Sequence, residues 1–165
     1  MEKERLKFCI ERFDHYYDST NNKSGVFLAI GTFVLGGLIA GYPYIVENVT
    51  CSAWMYGSYY LSAALALTAL IIVIWSATPY LTRGGESMYY YGSIASKSKE
   101  EFSNSSERQE SDEDLADLRN QVHGLAKGLS QKFGLLYWAG RVYLIMFIAI
   151  AVFAASILIN LKTSL

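Results

Sequence analysis

Charge is what this sequence has least of. Only 18% of its 165 residues are Asp, Glu, Lys or Arg, and they are unevenly placed. None occurs from Gly25 to Val46, from Asn48 to Thr82 or from Val142 to Leu161. Formal net charge is −1, so no global electrostatic partner is implied and a nucleic acid polymer is not expected. The two cysteines, Cys9 and Cys51, read as ordinary thiols on opposite sides of a membrane rather than as a bridge. The two histidines, His15 and His123, each stand alone and do not make a metal site. There is no H-E-x-x-H, C-x-x-C, P-loop or G-x-S-x-G. No ionisable residue falls mid-span, which argues against a proton relay or an ion-coupled transporter. The expectation is a protein that is not an enzyme and needs no cofactor.

Apolar residues are plentiful instead, at 52%. A bilayer core about 30 Å thick takes roughly 20 residues of helix, and each charge-free run is long enough. "LSAALALTALIIVIW" and "LIMFIAIAVFAASILI" are apolar all round, which suits lipid rather than a small soluble core. The sequence therefore predicts an all-α membrane protein with three transmembrane helices. The first run is too long, and too far from the start, for a cleavable signal peptide.

Basic residues set the orientation. Lys3, Arg5, Lys7, Arg12 and Lys23 precede the first span, and seven more lie between Arg83 and Gly134. The connection 42–57 has none, and Lys162 alone follows the third span. The expected order is a cytoplasmic amphipathic helix at 1–24, a first span at 25–46, an external loop at 47–57 and a second span at 58–80. A cytoplasmic loop and stalk helix follow at 81–135, then a third span at 136–161 and an external tail at 162–165. The Asn48-Val49-Thr50 sequon faces outward. Pro43 and Tyr44 mark the outer end of the first span and Pro79 the inner end of the second. Trp75, Tyr80, Tyr137, Trp138 and Tyr143 are placed at interfacial depth. Gly31, Gly36, Gly37, Ala40 and Gly41 allow close helix approach, within one chain or between chains.

In the cytoplasmic parts, Leu6, Cys9, Ile10, Phe13 and Tyr17 recur at helical steps, and "DSTNNKSG" supplies turn formers expected to end that helix. "SKSKEEFSNSSERQESDED" is hydrophilic and expected to be loosely ordered. A second helix is expected from a Ser111 cap, with acid in its first turn. Its narrow seam is Leu115, Leu118, Val122, Leu125, Leu129 and Phe133, and it continues into the third span.

The chemistry-bearing groups gather at the inner face. "SMYYYGSIASKSKEEF" offers tyrosines that can stack on a flat ring and Gly92 and Ser93 amides that can meet an anion. Lys23, Arg83 and Lys132 can meet a phosphate. Asp117, Asn120 and Gln121 can read a base edge. The same residues also fit a plainer account: an interfacial tyrosine belt, headgroup-facing cations and a solvated helix face.

"MYYYGSIASKSKEEF", followed by "SDEDLADLRNQVHGLAKGLSQKFGLLYWAGRVYLI", resembles the Pycsar transmembrane effector family. That family shows an aromatic-Gly-Asp-Ile-Ala stretch, then a D-L-x-x-Q helix with a basic residue before the last span. "CIERFDHYYDSTNNKSGVFLAIGTFVLGGL" is similar to the family's start. Matching positions are Lys23, Tyr91, Gly92, Ile94, Ala95, Asp117, Leu118, Gln121 and Lys132. Ser93 stands where the family has an acid, as does Asn21.

The resemblance implies an antiviral abortive-infection effector of the bacterial inner membrane, with its N-terminus cytoplasmic and its C-terminus periplasmic. Its ligand would be cyclic UMP or cyclic CMP, made by a partner cyclase. A homo-oligomer in the lipid bilayer would then impair membrane integrity. With that ligand, Tyr90 or Tyr91 is assigned to the pyrimidine. Gly92, Ser93 and either Arg83 or Lys132 are assigned to the phosphate, and Asp117, Asn120 or Gln121 to the base edge, with Lys23 nearby. The competing class is a non-enzymatic scaffold or receptor subunit whose stalk binds another protein.

Overall fold

The computed structural model describes residues 1–49, 52–78, 87–108 and 111–160. Five helices follow one another: α1 (Glu2–Asn48), α2 (Ala53–Ala77), α3 (Tyr91–Ala95), α4 (Lys99–Arg108) and α5 (Ser111–Asn160). The described residues are 93% helical, so a ligand held by them meets helix faces and short connections. Helices α1, α2 and α5 are each long and apolar enough to cross a membrane. Most of their large side chains face outward, as Phe33, Ile71, Leu144 and Ile148 do. Outward apolar rings and branches belong in lipid.

The chain divides into two compact units: Met1–Thr20 with Pro79–Lys132, and Asn21–Thr78 with Phe133–Leu165. Helices α1 and α5 contribute to both.

In the second unit three helices pack through alternating three- and four-residue steps. On α1 the inward positions are Ser24, Phe27, Gly31, Val34 and Leu38; on α5 they are Leu136, Ala139, Tyr143, Met146, Ile150 and Phe153. Small residues bring the backbones close: Ser62, Ala66 and Ala69 on α2 and Ala139 on α5 are fully buried or nearly so. Two apolar clusters result, one around Val73, Tyr143 and Met146, the other around Leu38, Met55, Tyr59 and Phe153. The hydroxyls in this apolar unit find carbonyl acceptors. Tyr143 donates to the Phe27 carbonyl at 2.5 Å and Tyr59 to the Leu38 carbonyl at 3.2 Å. Ser58 and Ser62 bond back to their own helix, as polar groups away from water must. The Phe27–Tyr143 pairing, and the shared cluster of Leu38 and Phe153 further along both helices, make α1 and α5 parallel. Those of Gly31 with Leu70 and Leu38 with Tyr59 make α2 antiparallel to α1.

Several expectations are corrected. "DSTNNKSG" does not end a helix, because α1 passes through it unbroken. Thr20 and Ser24 are buried on the inward face, and Thr20 donates to the Tyr16 carbonyl at 2.6 Å. Such back-bonding lets a hydroxyl residue sit inside a helix. Pro43 lies inside α1, which runs on to Asn48. Tyr143 is 4% exposed, so its ring packs in the core between helices. Of the small residues, Gly31 packs within the chain, against Leu70 and Tyr143, while a Cβ added at Gly36 or Gly37 would meet nothing within 4 Å.

The hydrophilic stretch after the tyrosines forms α4. Its start is a reciprocal capping box: Glu101 N–H donates to Ser98 Oγ at 3.2 Å, and Ser98 N–H to Glu101 Oε2 at 2.8 Å. Ser111 is the first residue of α5 rather than its cap, with Asp112, Glu113 and Asp114 in the first turn. On the α5 seam, exposed Phe133 gives way to buried Lys132. The predicted roles of Thr50, Cys51, Pro79, Tyr80, Arg83 and Lys162 lie outside the described residues.

Candidate functional site

The first unit is built on the early part of α1 and the part of α5 before Phe133. On α1, Leu6, Ile10, Phe13, Tyr17 and Thr20 point inward; on α5, Leu118, Val122, Leu125, Leu129 and Lys132 do. The two segments run in the same direction, since Lys3 meets Asp114 and Tyr17 meets Leu125. Tyr17 donates to the Leu125 carbonyl at 3.0 Å. Gly128 makes room for it, because a Cβ there would lie 2.5 Å from the Tyr17 oxygen.

The tyrosine segment is fastened to the start of α5. Met88 N–H donates to Asp117 Oδ2 at 2.7 Å, and the Tyr89 hydroxyl donates to Asp114 Oδ1 at 2.6 Å. The other Asp114 oxygen takes Lys3 Nζ at 2.5 Å. One carboxylate thus clasps three segments. Lys3 and the Tyr89 hydroxyl together hold Asp114 below the usual carboxylate range. Burial, and then the bond to Asp114, push the Tyr89 phenol up to about 12. Beside the clasp, Arg119 grips Glu2 with two bonds of 2.9 Å.

Tyr90 precedes the short helix α3. Its ring folds back over Gly92, where a Cβ would come within 2.6 Å of a ring carbon, so a larger residue there would displace the Tyr90 ring. The Tyr90 and Tyr91 rings stand 5.0 Å apart and tilted by 55°, with Tyr91 66% exposed. Ser93 is buried; its amide N–H donates to the Tyr90 carbonyl at 3.0 Å, and its carbonyl accepts from the Ser96 hydroxyl at 2.9 Å. Within this fold the Ser93 amide therefore serves α3.

The sequence-predicted residues fall into groups. Tyr90, Tyr91, Gly92 and Ser93 are joined to Asp117 through Met88. Exposed Asn120 and half-buried Gln121 lie one turn further along α5. Lys132 is fifteen residues beyond Asp117 on the same helix, about 22 Å along its axis and out of one mononucleotide's reach. It is 6% exposed and lies 5.5 Å from the centre of the Tyr17 ring. Its burial lowers the ammonium pKa. Lys23 is exposed and belongs to the second unit. Arg83 lies outside the described residues.

Sequence reasoning passed over Lys3, Tyr89 and Asp114 as site residues. In the sequence Lys3 reads only as a topology charge and Asp114 only as acid in the first turn of α5. A signal was available in the amphipathic 3–18 helix and the seam from 115, two apolar faces that need each other. Among the described residues no group of three or more His, Cys, Asp and Glu is arranged for a metal.

The arrangement can present one exposed tyrosine ring, a second ring beside it and a row of polar groups on α5 to a flat, polar ligand. A family model described as the Pycsar effector protein domain matches residues 5–160. No curated protein and no solved structure matches the chain.

Proposed function

We propose, for a chain that belongs to the Pycsar effector family, that it is a membrane effector of antiphage defence gated by a cyclic pyrimidine nucleotide. Cyclic UMP or cyclic CMP, supplied by a partner cyclase, binds at the tyrosine segment on the cytoplasmic face. Tyr91 stacks on the base with Tyr90 beside it, and Asp117, Asn120 or Gln121 reads its edge. Arg83, close in sequence to the segment, is the cation assigned to the phosphate. The single observation that carries this reading is the clasp. Met88 and Tyr89 bond directly to Asp117 and Asp114, on a helix that continues to Asn160.

A ligand that reorders the tyrosines competes with those two bonds and so acts on the helix that crosses the bilayer. Taking a two-state equilibrium from 1:99 to 99:1 needs roughly 5.5 kcal/mol of differential affinity. Several sites in a homo-oligomer supply that together. The outcome is loss of integrity of the bacterial inner membrane, with the N-terminus cytoplasmic and the C-terminus periplasmic.

Calorimetry of the purified protein against cyclic UMP, CMP, AMP and GMP tests the reading. Binding of a pyrimidine nucleotide is expected, weakened by about 1–3 kcal/mol in Tyr91→Ala, the worth of one stacked base. The same nucleotide should release dye from vesicles holding the protein. Absence of binding by both pyrimidine nucleotides would end the proposal.

A further inference from the structure

Arg141 is the last charged residue before the uncharged run Val142–Leu161. Its guanidinium lies 4.5 Å from the centre of the Tyr137 ring and 5.5 Å from that of Trp138. The two rings meet edge-on at 6.0 Å, and all three residues are exposed. A guanidinium offers N–H donors in a planar fork that matches an anion's oxygens, so an anion should face it. The second unit cannot supply one locally. Its single acidic residue is Glu47. Phe27 lies beside Tyr143 on the parallel α1, and Glu47 is twenty residues beyond Phe27, about 30 Å along the axis. No Asp or Glu follows Asp117 on α5.

The depth fits one source of anion. The twenty uncharged residues after Arg141 measure about 30 Å as helix, the thickness of a hydrocarbon core. Arg141 therefore stands where the hydrocarbon ends. On α1, Lys23 precedes the Phe27 contact by one turn and is exposed at the same level. Tyr and Trp with one apolar and one wet edge favour this depth.

We infer that Tyr137, Trp138 and Arg141 form a binding site for the phosphate of an anionic phospholipid headgroup. The two rings hold the guanidinium plane outward, and its paired N–H groups bind phosphate oxygens. The site fixes how far α5 enters the bilayer, and places the start of the hydrocarbon span at Val142 rather than at residue 136. It does not depend on nucleotide gating.

The test uses the full chain with Trp54→Phe and Trp75→Phe, leaving Trp138 as the reporter, in vesicles of phosphatidylglycerol or of phosphatidylcholine. Native mass spectrometry of the same protein reads lipid retained per chain. Headgroup-level quencher should quench Trp138 more than mid-chain quencher does. Phosphatidylglycerol should be retained over phosphatidylcholine about fivefold, the worth of one cation at an anionic surface, with the preference lost in Arg141→Gln. An unchanged preference in Arg141→Gln overturns the proposal. So does its abolition by millimolar inorganic phosphate, which marks a site for free anions. If Arg141→Gln does not insert, Tyr137→Leu, which keeps the charge and removes a ring, reads the same ratio and must lower it.

Discussion

The two units use the same pair of parallel helices and the same three-and-four spacing, yet different chemistry fastens each. In the second unit, Tyr143, Met146 and Val73 close on one another with backbones drawn in by Gly31, Ala66, Ala69 and Ala139. In the first, the apolar seam is supplemented by polar links between α1 and α5: Lys3 to Asp114, Glu2 to Arg119 and Tyr17 to the Leu125 carbonyl. Packed apolar contacts have few alternative arrangements and resist small perturbations. Exposed ion pairs are each worth about 0–1 kcal/mol. The contrast is between a unit held chiefly by close apolar packing and one whose seam is also edged by bonds that salt and pH can weaken.

The sharpest way to break this contrast is at Gly31. A Cβ there would strike the Tyr143 hydroxyl and lie 2.9 Å from Leu70 Cγ. Gly31→Val should destabilise the second unit by about 1–3 kcal/mol, the usual cost of overpacking, seen as a lower unfolding midpoint in detergent. Gly36→Ala, with nothing within 4 Å, should leave that midpoint unchanged. Equal effects would mean that the second unit is not the tightly packed one.

Next in size is Tyr143→Phe, which removes the hydroxyl that reaches the Phe27 carbonyl and keeps the ring. Bonds of this kind between membrane helices average about 0.6 kcal/mol and reach about 1.7. A loss within that span is expected in the same unfolding assay. No loss would show that packing alone holds α1 to α5 in this unit.

The comparison also explains what could be read from sequence. Three long apolar helices were legible because uncharged runs of twenty or more residues have few other homes. The continuity of α5 from Ser111 was legible because its seam repeats without interruption. The continuity of α1 was hidden, since Thr20 and Ser24 look like turn residues until their burial is known. Lys132 lay on the seam in plain spacing, but a lysine is not expected to be buried, and Phe133 took its place. Ser98 and Glu101 carry the S-x-x-E signature of a helix start as plainly as Ser111 carries that of a cap. At the candidate site the tyrosines and Asp117 could be chosen by chemistry. Nothing local in sequence could pair Tyr89 with Asp114 across twenty-five residues, or place Lys132 so far along α5.

Smaller, and confined to the first unit, is the pH response of the clasp. Asp114 is held below its ordinary range, so its contribution is present above the unfolded carboxylate pKa of about 4 and is lost as pH falls through the lowered value. Tyr89 is raised to about 12, so its contribution is full below about 10 and is lost as pH rises toward 12. Exchange protection of the Met88 amide, which donates to the neighbouring Asp117, should therefore fall at both extremes. Tyr89→Phe should remove the alkaline loss and leave the acid one. A single-sided profile in the unaltered protein would show that Tyr89 and Asp114 do not act as one clasp.

The smallest expected effect is at Arg119. Its two bonds to Glu2 are short, but both side chains are partly open to water. Screening and the entropy of two long side chains cancel most of the attraction. Arg119→Ala should weaken the first unit only slightly, and most of that loss should vanish in high salt. The reading to take is exchange protection along residues 2–10 at low and high ionic strength, since only the N-terminal turns of α1 depend on this pair. A larger, salt-independent loss would mean that Arg119 supports the fold by packing its stem. The first unit would then be as firmly set as the second, and the contrast between them would fail.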